Sequence, residues 1–158
     1  MAHDTDGSDL IRLDLYPIDR PDDPAVRAMV TKAKADIDRD QVCLIDNFIT
    51  EEARQTMVDE ATATLPSAHT NRSHRTCFLN QKPMPERPDD QPMNMFFDAS
   101  YRMMAYDLFN DEGPLHRFYG WEPVRKVIAE ILGIEKLYLN NDPFQPANVI
   151  VYQDGDRS

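Results

Sequence analysis

Histidines, cysteines, arginines and an excess of acids are the residues of this chain with chemistry to offer. A facial-triad iron centre takes two His and one carboxylate and leaves coordination positions open. Its usual local signature is a His with an acid two positions later. The histidines are His3, His69, His74 and His116, and two positions beyond them stand Thr5, Asn71, Thr76 and Phe118. No such ligand pair is present. His69, His74 and Cys77 are zinc-ligand types, but their spacing fits no familiar zinc pattern and no fourth ligand is evident, so they read as ordinary loop and strand residues. Arg72, Arg75, Arg87 and Arg102 can each grip a carboxylate through two parallel N–H donors. Arg75, beside a long loop, is the candidate substrate clamp, with a structural ion pair as the plainer alternative. The Met- and aromatic-rich stretch from Met93 to Phe109 suggests a groove, although core packing is the commoner use of such residues. There is no Gly-rich phosphate loop, no Gly-x-Ser-x-Gly and no CxxC.

These residues need elements to position them. Residues 1–23 form an acidic arm, expected to be poorly ordered, with at most a short strand over 10–15. A helix is predicted from Asp23 or Pro24 to about Asp38, with Asp23 as N-cap and Pro24 where its missing N–H costs nothing. Val26, Met29, Val30, Ala33 and Ile37 fall on one face of it. The β-branched run at 41–48 predicts a strand. Thr50 then caps a helix over 51–65, with Glu51 and Glu52 at its positive end and Ala53, Met57, Val58 and Ala61 as its buried stripe. Pro83, Pro85, Pro88 and Pro92 make residues 66–95 a long loop, interrupted by a strand at 75–79. Loops of this length often serve as lids or binding loops. Two helices, 114–119 and 122–132, end at Gly133, and strands follow at 136–140 and 147–152, the second leading into a turn at 153–156. A sheet of so few strands with an open edge is marginal. The chain therefore reads as an interrupted fold.

Composition narrows the possibilities. The chain of 158 residues is 41% hydrophobic and 28% charged, which suits a single globular domain with a core. A net charge of −11 with no basic stripe argues against a nucleic-acid partner. No apolar run reaches the ~18 residues of a membrane span, and no signal-peptide h-region is present, so a cytoplasmic protein is expected. Cys43 and Cys77 sit in apparent strands and are expected to be reduced core thiols.

Two motifs carry a resemblance. Val42-Cys43-Leu44-Ile45-Asp46-Asn47-Phe48-Ile49-Thr50-Glu51-Glu52 resembles the opening strand and helix of many non-haem Fe(II)/2-oxoglutarate-dependent oxygenases. Asn148-Val149-Ile150-Val151-Tyr152-Gln153-Asp154-Gly155-Asp156 is similar to the strand and turn that, in this family, lead within a few residues to the His-x-Asp iron ligands. Between them, residues 114–133 resemble the family's helical pair. The resemblance implies an α+β fold, with N-terminal helices and the first strands of a double-stranded β-helix (jelly-roll) core in residues 24–158, truncated before the iron ligands. It also implies oxidation of a small-molecule substrate, such as an amino acid, with Fe(II) and 2-oxoglutarate. Tyr152 matches a strand position whose hydroxyl hydrogen-bonds the co-substrate carboxylate in relatives. Asn148, four residues earlier, shares its face on a strand of period two. The His-x-Asp pair, the distal His and the basic anchor for 2-oxoglutarate are absent, so this polypeptide alone is expected to be inactive. The alternative is a complete, non-catalytic α+β binding or interaction protein.

Overall fold

The computed structural model describes residues 4–157. The fold is α+β, with four α-helices and one three-stranded antiparallel sheet among the described residues.

α1 spans Pro24–Asp40 and is capped as expected: Asp23 accepts from the Ala25 N–H at 3.0 Å. Its apolar face carries Val26, Met29, Val30 and Ala33, all buried, and packs on α4, Glu122–Leu132, through Val124, Val127 and Ile131. Gly133 closes α4 at φ +67°, a left-handed conformation that glycine adopts without a Cβ clash. α2, Glu51–Thr64, begins at Thr50, whose Oγ1 accepts from the Ala53 N–H at 3.2 Å. Of its expected stripe only Ala53 is buried, and Val58 is exposed. α4 likewise leaves the expected inward residues Ile128 and Leu132 partly exposed. The short α3, Pro114–Gly120, precedes α4 directly.

The acidic N-terminal segment is not a loose arm. Leu10, Ile11 and Ile18 are buried, and Ile11 and Ile18 join Trp121 and the α1–α4 face in the main core. The strand expected there shrinks to a bridge between Ile11 and Ile49, flanked by hydrogen bonds from Arg12 N to Phe48 O and from Thr50 N to Leu10 O. Its acids are used as anchors: Asp9 pairs with Arg117, and Asp4 with Arg125.

Three expected strands are absent. Over 41–48, Gln41 and Asn47 adopt φ of 61° and 55°, which breaks the extended run, and Val42 and Leu44 are exposed. Over 76–79, Thr76 closes a tight turn instead: its carbonyl accepts from Leu79 N and its hydroxyl from the N–H groups of Phe78 and Asn80. Residues 136–140 are irregular and tethered by a hydrogen bond from Asn140 N to the Tyr119 hydroxyl. Both cysteines are free thiols; Cys43 is half-buried and packs against the main core, whereas Cys77 is exposed rather than a core residue.

The sheet is built from β1, His69–Arg75, β2, Phe97–Ala105, and β3, Asn148–Val151, in the order β1-β2-β3. β2 arises within the Met- and aromatic-rich stretch. Its alternation of polar Asp98, Ser100 and Arg102 with Ala99, Tyr101 and Met103 is the period of a strand. Between β1 and β2 the Pro-rich loop is gathered by Asn94, whose side chain bonds the backbone of Met84, Arg87 and Pro88.

Candidate functional site

The pairing register determines which side chains share a face. Cross-strand partners point to the same side, and successive residues alternate. Arg75 pairs with Phe97, Met103 with Ile150, and Ala105 with Asn148. Arg75, Asn148 and Ile150 therefore lie on one face with Tyr101 and Met103. Tyr152 follows β3 in phase with Ile150, and its ring meets that of Tyr101 at 6.0 Å between centroids.

All three residues singled out from the sequence thus occupy a common face, but they do not converge. The Arg75 and Asn148 positions lie eight residues apart along β2 (Phe97 to Ala105), or roughly 26 Å at the usual strand rise. Tyr152 is 52% exposed. Asn148 is engaged locally, donating to Gln145 Oε1 at 2.9 Å. Arg75 forms no ion pair among the described residues, and its Nε is buried without a hydrogen-bond partner, as is the hydroxyl oxygen of Ser73 on the same face. A buried unpaired donor is costly, so this end of the face holds unspent hydrogen-bonding capacity.

The opposite face carries a polar row that sequence reasoning passed over. Arg72 pairs with Ser100, His74 with Asp98, and Thr70 with Arg102. His74 Nδ1 lies 2.8 Å from Asp98 Oδ1, and its ring stacks on Phe96 at 5.2 Å. Ser100 donates through Oγ to Asp156 Oδ1 at 2.8 Å and through its N–H to Arg157 O at 2.8 Å. The Gln153 N–H donates to Asp156 Oδ2 at 2.7 Å, fastening the turn that follows β3. The Asp156 carboxyl is held below its ordinary value of 3.8, first by the Gln153 N–H, then by the Ser100 hydroxyl, with added fields from Arg102 and Arg72. The signal available in the sequence was the alternation of Asp98, Ser100 and Arg102.

The residues present do not fit an iron ion. Among the described residues no three His, Cys, Asp or Glu side chains gather closely enough to hold a metal. His69 and His74, an odd number of positions apart on β1, point to opposite faces. His116 is buried and committed: its Nε2 lies 2.7 Å from Tyr106 O, and its ring stacks on that of Tyr106 at 3.6 Å. His3 lies outside the described residues. For 2-oxoglutarate the structure offers Tyr152 as a lone hydroxyl, which by itself makes no dicarboxylate site.

No helix among the described residues is long and apolar enough to cross a membrane. Comparison with protein-family models, with curated proteins and with solved structures returns no match.

Proposed function

We propose that this chain forms the N-terminal part of an Fe(II)- and 2-oxoglutarate-dependent dioxygenase that oxidises, by hydroxylation, a small molecule such as an amino acid in the cytoplasm. In this reading α1–α4 pack on a jelly-roll core of which β1–β3 are the first strands, and the iron ligands belong to polypeptide that pairs with the free edge of β3. One observation carries it. Among the described residues β3 is an edge strand with an unpaired outer side, and Ile150, Tyr152 and the neighbouring Phe144 are about half exposed. An open edge with apolar flanks calls for a partner strand. Tyr152 would donate to the co-substrate carboxylate, Asn148 would face the same pocket, and Arg75 would hold the substrate. No nucleic acid or membrane enters the scheme.

The test is 2-oxoglutarate and O₂ consumption by the whole protein that contains this chain, supplied with Fe(II), with and without Tyr152→Phe. The reading expects iron-dependent consumption and a raised KM for 2-oxoglutarate in the variant. No consumption across a panel of small-molecule substrates would overturn it. The second reading is a non-catalytic binding module. It expects that catalytic silence.

A further inference from the structure

The arginines of this protein divide sharply. In the helical part Arg12, Arg20, Arg27, Arg39, Arg54, Arg117 and Arg125 each meet a carboxylate. In the sheet part Arg72, Arg75, Arg87, Arg102 and Arg157 form no ion pair among the described residues. With 28 acids to 17 bases in the chain, acidic partners are in excess. Unpaired arginines are therefore the exception that needs a cause.

Two of them are brought together. Arg72 faces Ser100 across the β1–β2 pair, and Arg102 stands two residues along β2 from Ser100 on the same face. Such diagonal neighbours lie roughly 7 Å apart, a span that one oxyanion bridges with hydrogen bonds from both guanidinium groups. Between them the Ser100 hydroxyl already holds a carboxylate oxygen, that of Asp156, and the same two arginines stabilise that carboxylate from a distance. Among the described residues neither guanidinium forms an ion pair or donates a side-chain hydrogen bond, which leaves their N–H donors available. A shallow hollow of about 360 Å³, lined by Arg72, Ser73, His74, Asp98, Ala99 and Ser100, opens on the Arg72 side of this pair.

We propose that Arg72 and Arg102, on the sheet face opposite Arg75, Asn148 and Tyr152, form a binding site for a small oxyanion, the carboxylate or phosphate group of a metabolite. The site is independent of the oxygenase reading, because it uses only residues present here and no metal. His74, held by Asp98 and Phe96, borders the hollow on the Arg72 side. Asp156 sets an upper limit on the charge admitted, since its carboxylate repels a second anion brought too close to Ser100. A singly charged carboxylate fits this balance better than a phosphate dianion.

The experiment is side-chain NMR of the arginine Nε–H signals of this chain, titrated separately with acetate and inorganic phosphate at constant ionic strength. Saturable shifts of Arg72 and Arg102, larger for acetate, are expected. Arg72→Gln or Arg102→Gln is expected to weaken binding by about tenfold or more, the loss that goes with one charged hydrogen bond. Arg87→Gln, in the Pro-rich loop, is expected to leave binding unchanged. Stronger binding of phosphate would overturn the charge balance argued from Asp156. Non-saturable shifts, or equal weakening by Arg87→Gln, would reduce the effect to general attraction and overturn the site.

Discussion

Ile11→Ala tests whether the acidic N-terminal segment belongs to the core. Ile11 is 3% exposed and packs in one cluster with Trp121, Val26 and Met29. Truncation removes three carbons from that cluster, roughly 2.5 kcal/mol at ~0.8 kcal/mol per buried methylene. The cavity left behind raises the loss to about 3–4 kcal/mol. Domains of this size are held by only ~5–15 kcal/mol, and each kcal/mol moves Tm by about 2–4 °C. A fall of roughly 6–15 °C is therefore expected. Trp121 is the single tryptophan, 7% exposed, and reports from inside the same cluster. Urea unfolding followed by its fluorescence is the assay, with Leu15→Ala, at an exposed position, as the matched control. If Ile11→Ala stays within ~0.5 kcal/mol of the parent, as surface substitutions do, the segment is not part of the core and the reasoning fails.

Other expectations follow from single sites. A Cβ on Gly113 would clash with Glu60 Oε1 and lie 2.9 Å from Asn110 O, so Gly113→Ala is expected to cost about 1–3 kcal/mol in thermal or urea unfolding. Thr50→Ala removes the α2 cap and is expected to cost about 1 kcal/mol, with Thr50→Ser largely neutral. Asp36 is held below its ordinary value of 3.8 by hydrogen bonds from Lys32 and then Arg39. A lowered carboxylate contributes stability that is present above its unfolded value and is lost as pH falls through the folded one. Denaturation midpoints should therefore drop below about pH 4, and less steeply in Asp36→Asn. EDTA treatment of this chain is expected to leave Tm unchanged, because the described residues gather no three metal ligands; a loss of several degrees would show a metal site.

Where local chemistry decides structure, the sequence was legible. Asp23, Pro24, Thr50 and Gly133 mark helix ends through their own side chains or backbone, and each does so in the structure. The strand at 148–151 and the turn after it were readable for the same reason. Strands that need a partner were not. The run at 41–48 has the residues of a strand but is broken by left-handed Gln41 and Asn47, and the run at 136–140 pairs with no strand among the described residues. By contrast, β2 was hidden because its aromatic and Met content masked its period of two. Acidity misled at the N-terminus, where Leu10, Ile11 and Ile18 outweigh the aspartates around them. At the candidate site, Tyr152 came from the resemblance, Asn148 from its spacing to Tyr152 and Arg75 from its place beside the long loop, and the register puts the three on one face. Their distances from one another, and the Ser100–Asp156 contact across 56 positions, depend on long-range pairing that no local pattern encodes.

The central claim is that a dioxygenase core continues from β3, and the most direct measurement is the coding sequence on the 3′ side of the Ser158 codon. The account expects a His-x-Asp or His-x-Glu within about ten codons, the iron-ligand signature. A His-x-Gly or His-x-Ala there would keep the iron and move the chemistry toward halogenation. An authentic stop codon would contradict the account and leave the binding-module reading.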